Sequence, residues 1–561
     1  MNFLKPLFFK QTANRIREDF SSLRGLLMAG AARLGLLRTS FNNTAAGPRG
    51  ALRVYLALTA LYCTLTVYFM NSPVFADPVR TAKSIISSFF LFVIFYLLLQ
   101  LWCIKTKELC FRVQEEKQSL KPETFFCVFI FCFTSFFILF LINFPGGITT
   151  DNESQWRQIQ SFSFNDWHPA IHTFLMWLLT RIINHYGFII FCQITIFSIS
   201  LGILTAVMEA WGFPRIVQVC MTLFFALNPM VKNILMFAYK DTVFTIVMVF
   251  TVTSLINIYF SGGKWLESFR NTLKISLCIA LLSLVRHNGI LFTIPLGFLL
   301  LLFYAKKNPR TFLIVPASLL FVLLVRLPLY SALQVEYPNN TYTETVGVPM
   351  TIMCDVFIKN PDALPQDARK FLSDFDKESG WTEKYELGNF SSAKSKFDGS
   401  RIIAAIPKAQ FVSMITGTIL ADPYNSFQAF RNHSAFVWEL FTPENSFISA
   451  PWKRDLERET NPVKKTAMYL SVFFDNAVTA ILPAGWLLAR NGWHVLILIM
   501  AGLFGLYRTG VKSLILVLPV IFYTFSTMML LSASDLRYFQ FNAVIVLPLS
   551  LALLSKKTNL A

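Results

Sequence analysis

Residues 123–143 read ETFFCVFIFCFTSFFILFLIN, and residues 144–157, which follow, read FPGGITTDNESQWR. An α-helix rises about 1.5 Å per residue, so a run of about 20 apolar residues matches the hydrocarbon thickness of a bilayer. The first stretch has that length and carries a single charged residue, Glu123, at its first position. It therefore predicts a transmembrane helix that leaves the bilayer where the second stretch begins.

The composition of the whole chain extends this prediction. Of the 561 residues, 54% are hydrophobic and only 15% are charged, whereas about 25% are charged in ordinary soluble proteins. So few polar side chains cannot cover the surfaces of several soluble domains. The composition therefore predicts a multi-span membrane protein and argues against a soluble enzyme, a disordered tail and a nucleic-acid reader.

Apolar runs of similar length recur along the chain and together predict twelve spans. Their approximate positions are 52–70, 84–104, 123–143, 187–208, 215–235, 241–260, 273–286, 289–305, 311–331, 484–507, 513–533 and 537–555. Two further runs, 168–186 and 466–483, are predicted to lie at the outer membrane interface, because counting 168–186 as a span would invert every later loop and 466–483 poses the same problem.

The basic residues support one orientation for these spans. With the N-terminus inside, about half of the 50 Lys and Arg residues fall in the N-terminal segment and the inner connections, as the positive-inside rule predicts. Residues 1–50 mix basic and apolar side chains, which favours an amphipathic segment on the inner leaflet over a solvated tail. Residues 332–483 carry slightly more acidic than basic side chains, so the net charge of +18 does not form a nucleic-acid-binding face.

These assignments predict an all-α membrane protein of about 12 transmembrane helices with a small, mostly α-helical extracytoplasmic domain. The predicted parts are a cytoplasmic or interfacial segment at 1–50, two N-terminal spans at 51–122, a central transmembrane core at 123–331 with an outer loop at 144–186, the extracytoplasmic domain at 332–483, and the last spans at 484–561. The outer domain is long enough to fold as a unit.

The first outer loop holds the first candidate site. The Pro-Gly-Gly at 145–147 breaks the helix as it leaves the bilayer, and Asp151 follows close to the membrane surface. A carboxylate there can deprotonate a hydroxyl acceptor that meets a lipid-borne substrate. Further candidates for the same site are Glu153, Asp166, His168 and His172.

A structural role is the alternative for each of these residues. Asp151 and Asp166 can cap helices, and His168 and His172 can pack at the interface. The two histidines are four residues apart and face one way on a helix. Without a catalytic Glu between them, however, this spacing is only a weak metal signal.

Charged groups at three predicted outer span ends form a second set of candidates. They lie in Lys240-Asp241, in Arg286-His-Asn288-Gly289 and in Asp535-Leu-Arg537-Tyr538. A basic residue in the hydrocarbon centre costs about 3 kcal/mol, whereas at a span end it can extend to the interface, which is the structural alternative. Because all three groups fall on the face where the Asp151 loop emerges, converging cations beside a carboxylate would suit a substrate that carries phosphate.

The order of these motifs resembles that of bacterial polytopic glycosyltransferases of the GT-C class, in particular an uncharacterised branch related to the protein O-mannosyltransferase and aminoarabinose-transferase group. The resemblance covers about residues 125–555. It rests on Pro145-Gly146, Asp151-x-x-x-Gln155, His168-Pro169, Asn228-Pro229, Lys240-Asp241, Arg286-x-Asn288-Gly289, Gly347-Val-Pro349 and Arg537-Tyr538. The first two spans and the basic N-terminus are additions to the family pattern.

The resemblance implies a GT-C-like fold and transfer of a sugar from a polyprenyl-phosphate-linked donor on the extracytoplasmic face, usually with inversion. It implies that Asp151 is the general base and that Glu153 and His168 share the catalytic site. With the residues singled out above, the candidate substrate-binding residues are Gln155, Asp166, His172, Lys240, Asp241, Arg286, Asn288, Arg537 and Tyr538. Of these, Lys240, Arg286 and Arg537 would contact the donor phosphate.

Two departures from the family pattern concern the acceptor and a metal. Many relatives have adjacent acidic residues where this chain has Asp151-Asn152-Glu153, and several have His-Pro-Pro where it has His168-Pro169-Ala170. No metal ligand set is assigned. Some relatives use a divalent cation, and Mg²⁺ or Mn²⁺ would find its ligands among Asp151, Glu153, Asp166 and His168.

The expected partners are a polyprenyl-phosphate sugar donor, membrane lipids and an acceptor that is a lipid-linked glycan, lipopolysaccharide, teichoic acid or protein, with no nucleic acid. The expected location is the bacterial cytoplasmic (inner) membrane, with the active site facing the outside or periplasm. Two alternatives stay open. One is a transporter or flippase of lipid-linked sugars, although the sequence shows no internal repeat and its charges cluster at span ends. The other is an assembly protein whose outer domain binds a partner.

Overall fold

The computed structural model describes residues 39, 49–69, 78–105, 111–114, 117–338, 345–374, 376, 378–390, 406–440, 460–463, 465–466, 468–470, 473, 490–531 and 535–557. Within these ranges the chain is mostly α-helical. The predicted amphipathic segment at 1–50 and the predicted interface helix at 466–483 lie almost wholly outside the described residues.

The described α-helices are numbered here in chain order. They are α1 (Arg49–Phe69), α2 (Pro78–Lys105), α3 (Pro122–Ile142), α4 (Thr150–Ser161), α5 (Ala170–Thr180), α6 (Tyr186–Ala210), α7 (Arg215–Leu227), α8 (Pro229–Leu235), α9 (Lys240–Phe260), α10 (Phe269–Val285), α11 (Ile290–Tyr304), α12 (Ile314–Ala332), α13 (Gly347–Lys359), α14 (Gln366–Ser373), α15 (Glu378–Lys384), α16 (Lys408–Ala421), α17 (Pro423–Trp438), α18 (Asn491–Thr509), α19 (Leu518–Leu530) and α20 (Gln540–Leu553). Short 3-10 turns are Lys264–Glu267, His287–Gly289, Pro309–Leu313, Pro361–Ala363, Val511–Leu516 and Leu536–Phe539. Two short strands, β1 (Phe111–Val113) and β2 (Ser555–Lys557), pair in parallel.

Nine helices in the described part of the chain are long and apolar enough to cross a membrane. They are α1, α2, α3, α6, α9, α18, and α11, α12 and α20 with the 3-10 turn that precedes each. Each corresponds to one of the twelve predicted spans, although residues 484–489 of the predicted span at 484–507 lie outside the described residues. Helix α5 has only 11 residues, which at 1.5 Å per residue cannot cross a hydrocarbon core of about 30 Å.

The other three predicted spans are shorter helices, so the total of about 12 stays a prediction. Helix α10 has 17 residues, and α7 and α19 have 13 each. The predicted span at 215–235 is divided because Asn228 ends α7 and its side-chain oxygen accepts hydrogen bonds from the backbone N–H groups of Met230 (2.9 Å) and Val231 (3.3 Å). Asn228 thus caps a new helix whose first residue is proline, which cannot continue the preceding hydrogen-bond pattern.

Helix α3, formed by the opening stretch, is bound to its neighbour by aromatic packing. Phe125, Phe129, Phe133 and Phe137 recur every four residues and stack in a row, with centroids separated by 6.1, 5.6 and 5.4 Å. Phe191 of α6 packs edge-on against the last two rings. The row fixes α3 against α6, and the polar loop at 144–186 connects these two helices.

Helix α9 is the central helix of the bundle. It contacts α6, α10 and α20, and almost all of its residues after the first turn are buried. A helix that is apolar all round belongs inside such a bundle. Its first residues, Lys240 and Asp241, therefore lie at one end of the bundle core.

The two N-terminal spans pack against the C-terminal part of the bundle. Leu56 of α1 and Leu99 of α2 share a buried cluster with Leu503 and Tyr507 of α18. β1 and β2 pair through their backbones and so link residues 111–113 to residues 555–557.

The described part of residues 332–483 has an apolar core of its own. Met353, Phe371, Trp381 and Phe411 are buried together there. Helix α13 packs on α17, and α17 joins the bundle where Asn491 donates a hydrogen bond of 2.7 Å to the carbonyl of Val437. Residues 391–405 and 441–459 lie outside the described part, and the placement of this region on the outer side of a membrane stays a prediction.

Candidate active site

The loop after α3 docks against the segment that precedes α9. Gly147 N–H donates to the carbonyl of Met236 (2.8 Å), and the Tyr186 hydroxyl donates to the carbonyl of Gly147 (2.9 Å). A Cβ atom on Gly147 would lie 2.2 Å from the ring of Phe237. Only glycine permits this approach, which brings the start of α4 next to the start of α9.

The side chain of Asn152 bonds the start of α4 to Thr149 and to the segment before α9. Its side-chain oxygen accepts hydrogen bonds from Thr149 Oγ1 (2.9 Å) and Thr149 N–H (3.3 Å), as in a capping box. Its amide nitrogen donates to the carbonyl of Ala238 (2.9 Å). Asp151 therefore stands in the first turn of α4, where the helix dipole also favours a carboxylate.

The Asp151 carboxylate is held between a guanidinium and an imidazole. Its Oδ2 lies 2.7 Å from Arg537 Nη1, and its Oδ1 lies 3.9 Å from His168 Nε2. Lys240 Nζ lies 2.9 Å from His168 Nδ1. Because an ammonium can only donate, a neutral His168 accepts at Nδ1 and carries its proton on Nε2, facing Asp151.

Arg537 is enclosed by a second carboxylate and by two aromatic rings. Its Nε lies 2.9 Å from Asp535 Oδ2. Its guanidinium carbon lies 5.2 Å from the ring centre of Tyr239 and 5.1 Å from that of Tyr538. Stacking on aromatic faces leaves the edge of the guanidinium free to contact oxygen atoms.

Arg286 forms a deeper ion pair in the same cluster. Its Nη1 lies 2.7 Å from Asp241 Oδ1, and the two side chains are 4% and 2% exposed. The same nitrogen lies 3.3 Å from the backbone carbonyl of Tyr538, and the guanidinium lies 4.8 Å from the Tyr538 ring centre. Neither oxygen of Asp241 receives a geometrically aligned hydrogen bond from a described residue, so this contact is electrostatic in character.

The cluster as a whole balances its charges. The cations are Lys240, Arg286 and Arg537, and the carboxylates are Asp151, Asp241 and Asp535. An added anion would therefore give the cluster an excess of negative charge and would compete with a carboxylate for its cation. Asp151 is the most accessible of the three, at 28% exposed against 15% for Asp535 and 2% for Asp241.

The electrostatic environment fixes the protonation of the two central groups. Burial alone would raise the pKa of the Asp151 carboxyl, but the charges of Arg537 and its other neighbours lower that pKa below its ordinary value. Burial, reinforced by the charge of Lys240, lowers the pKa of His168 to about 3. At neutral pH Asp151 is thus an ionised, hydrogen-bond-accepting base and His168 is a neutral imidazole.

Two predicted substrate-binding residues contact each other instead of the charged cluster. Gln155 Nε2 lies 2.9 Å from His172 Nδ1 and 2.9 Å from Thr173 Oγ1. Gln155 and His172 are 2% exposed, and burial lowers the pKa of His172 to about 3. Together they connect α4 to α5.

Two of the predicted acidic residues are held apart from Asp151 by other partners. Glu153 is exposed and forms an i,i+4 ion pair of 3.3 Å with Arg157. Asp166 is buried, and its carboxylate lies 2.8 Å from Arg326 Nη2. Asp166 also accepts hydrogen bonds of 3.0 Å from the Tyr330 hydroxyl and from the first N–H of α5, which is the helix-capping alternative.

Asn288 lies in the turn between α10 and α11 and contacts α19. Its amide nitrogen donates to Thr527 Oγ1 at 3.2 Å, and its oxygen lies 3.5 Å from the Tyr523 hydroxyl. Tyr538, in contrast, belongs to the charged cluster through Arg286 and Arg537.

Three of the side chains expected to offer ligands to a divalent cation have other partners in this structure. Of the residues expected to offer ligands, Asp151 pairs with Arg537, Glu153 with Arg157 and Asp166 with Arg326. In the described ranges, no group of three or more His, Cys, Asp or Glu side chains could hold a metal ion.

Sequence reasoning assigned no role to three residues that shape the site. Asn152 positions α4, Tyr239 stacks on Arg537, and Asp535 pairs with Arg537. One local signal was present: Asp535 directly precedes the 3-10 turn at Leu536–Phe539, and its Oδ1 accepts from the N–H of Arg537 at 2.9 Å, a capping pattern that Asp favours. The other two contacts join segments that are distant in sequence.

Comparisons with models of known protein families, with curated proteins and with solved structures found no match for this chain.

Proposed function

We propose that this chain is an integral-membrane glycosyltransferase that moves a sugar from a polyprenyl-phosphate-linked donor to a cell-envelope acceptor, with Asp151 as the general base. The observation that carries the proposal is the contact between Asp151 and Arg537 inside a cluster that also holds Lys240 and Arg286. A base beside several cations suits the transfer of a group whose leaving group is a phosphate.

In the proposed reaction, Asp151 accepts the proton of an acceptor hydroxyl while the oxygen of that hydroxyl bonds to the anomeric carbon of the sugar. The bond between that carbon and the phosphate oxygen breaks, and the electron pair leaves with the polyprenyl phosphate. Arg537 and Lys240 stabilise the negative charge that develops on this leaving group. His168, neutral and bonded to Lys240, orients the ammonium toward the phosphate.

The pairing of Asp151 with Arg537 gives the proposed enzyme an order of binding. While the two groups are 2.7 Å apart, the base is engaged and the guanidinium is partly occupied. A donor phosphate competes for Arg537, and Asp151, the most accessible carboxylate of the cluster, is the group that it displaces. Donor binding thus frees the base for the acceptor.

The position of the cluster at helix ends supports a lipid-borne donor. Lys240 and Arg537 stand at the starts of apolar spans, and Asp151 follows soon after α3 ends. A phosphate at the membrane surface with its polyprenyl chain in the hydrocarbon would reach these groups. We place this end on the extracytoplasmic side of a bacterial cytoplasmic membrane on the basis of the basic residues in the opposite connections.

The test is mass spectrometry of envelope glycans from a strain that lacks the gene and is complemented with variants. We expect the deletion to remove one defined sugar, the wild-type gene to restore it, and Asp151→Asn not to restore it despite normal membrane levels. Asp362→Asn is the matched control, since Asp362 is 87% exposed and its partner at 3.0 Å is the surface residue Arg369. Restoration of the sugar by Asp151→Asn would overturn the proposal.

A further inference from the structure

A pocket of about 540 Å³ lies beside α4, separate from the charged cluster. Its described lining residues are Ser154, Asn165, Trp167, Glu336, Tyr337 and Pro338. Pockets that bind small ligands have volumes of about 300–1,000 Å³. The pocket is therefore large enough for one or two sugar rings.

Hydrogen bonds hold the two chain segments that line the pocket. Glu336 N–H donates to the carbonyl of Phe164 at 2.9 Å, and Asp166 N–H donates to the carbonyl of Glu336 at 2.9 Å. The side-chain oxygen of Gln158 accepts from the N–H of Asn165 at 3.1 Å. These bonds join the outer loop to the end of α12 and keep the lining residues in a fixed arrangement.

Two of the lining residues are close in sequence to Asp151 and to its neighbour His168. Ser154 follows Asp151 by three residues on α4, and residues at that spacing are neighbours on one face of a helix, with Cβ atoms about 5–6 Å apart. Trp167 directly precedes His168, whose Nε2 lies 3.9 Å from the Asp151 carboxylate. Ser154 and Trp167 thus connect the lining of the pocket to the segments that carry Asp151 and His168.

The lining chemistry is that of a neutral, hydroxyl-rich ligand. Trp167 and Tyr337 offer aromatic faces, and Tyr337 is 64% exposed. Ser154 and the exposed carboxylate of Glu336 offer hydrogen-bonding groups. The six described lining residues include no Lys or Arg, and the charge of Glu336 repels phosphate. The charged cluster, in contrast, contains three cations.

We propose that this pocket binds a sugar ring of a neutral glycan, and that this glycan is the acceptor. The apolar face of the ring packs on Trp167 and Tyr337, and ring hydroxyls donate to Glu336. The role as acceptor site rests on the proposed function, whereas the binding of a saccharide does not. A teichoic-acid-like polyanion and a protein acceptor are the competing occupants.

The test is saturation-transfer difference NMR on the full-length protein in nanodiscs. The probes are maltose, cellobiose, lactose and chitobiose, with glycerol 3-phosphate and a Ser/Thr-rich peptide as competitors. We expect at least one disaccharide to bind, tenfold or more weaker binding in Trp167→Ala and in Tyr337→Ala, and weakened binding in Glu336→Ala. Asp362→Asn is the surface control. Tyr337→Ala is informative even if Trp167→Ala does not fold, because Tyr337 is largely exposed.

Absence of binding by every disaccharide, binding that none of the pocket variants changes, or displacement by the phosphate or the peptide would overturn the proposal. Asp151→Asn separates the two proposals, because it should retain saccharide binding. Saccharide binding in a protein whose Asp151→Asn variant still restores the envelope sugar would contradict the proposed function and leave the saccharide site intact. Loss of the envelope sugar without any saccharide binding would contradict the saccharide site alone.

Discussion

The Asp151 carboxylate and the Arg537 guanidinium lie 2.7 Å apart although 386 residues separate them in the chain. Asp151 stands at the start of a short polar helix after the third described span, and Arg537 stands at the start of the last span. The contact therefore joins the first turn of α4 to the start of the last span. It places the proposed base and the proposed phosphate-binding cation in one cluster.

Arg537 tests the phosphate-binding part of the account. We expect Arg537→Ala to reduce sugar transfer about 100-fold or more, as the loss of a transition-state charge contact does. Arg537→Lys should be intermediate, because it keeps the charge but not the planar fork that stacks on Tyr239 and Tyr538. The measurement is the transfer rate in membranes supplied with the lipid-linked donor that the deletion strain accumulates. Near-normal transfer by Arg537→Ala would argue against this role.

The pH dependence of transfer tests the protonation states. A group with a lowered pKa remains deprotonated until the pH falls through that lower value. Because the pKa of Asp151 lies below its ordinary value and that of His168 is about 3, both groups stay deprotonated between pH 5 and 8. We expect a pH–rate profile without a change due to His168 near pH 6.5, the ordinary histidine value. An inflection there that disappears in His168→Gln would contradict this assignment.

Gln155 distinguishes a positioning role from direct substrate binding. We expect Gln155→Ala to lower the free energy of unfolding by about 1–3 kcal/mol, because the buried side chains of His172 and Thr173 lose their partner. Thermal unfolding of the purified protein in detergent measures this change. Glu153→Gln, two residues earlier on the exposed face of the same helix, is the control and should stay within about 0.5 kcal/mol of wild type. A Gln155→Ala protein with unchanged stability and lost activity would favour substrate contact instead.

Gly147 tests the docking of the loop. A Cβ atom there would overlap the Phe237 ring at 2.2 Å, so Gly147→Ala should cost about 1–3 kcal/mol, typical of overpacking. It should also reduce transfer, since α4 and Asp151 would shift relative to Lys240. The measurements are thermal unfolding and transfer rate, with Gly50→Ala as the control because its Cβ would meet no atom within 4 Å. Equal behaviour of the two variants would contradict the close approach.

The spans were predictable wherever length alone decides them. Among the described residues, nine helices are long and apolar enough to cross a bilayer, whatever their neighbours are. The interruption at Asn228-Pro229 was visible as a proline, but whether such a site kinks a span or ends it depends on the capping bonds of Asn228. Those bonds join residues only two and three positions apart, so the local sequence already contained the signal for this interruption.

The site was predictable in its residue types and less so in its pairings. Asp151, Asn152 and Glu153 are consecutive on α4 and point in directions about 100° apart. The rotation of that helix, set by Asn152 and Ala238, decides that Asp151 faces Arg537 while Glu153 faces outward. Asp166 pairs with Arg326, which is 160 residues away, and no local pattern indicates that partner.

The central claim is that Asp151 is the base of a transfer from a phosphate-linked donor bound by the cations around it. The most direct measurement is single-turnover sugar transfer by Asp151→Asn in nanodiscs, with binding of polyprenyl phosphate measured on the same sample. The account predicts that polyprenyl phosphate binds at least as tightly as to wild type, because a competing carboxylate is gone from Arg537, while transfer is lost. Transfer at the wild-type rate by Asp151→Asn would contradict it.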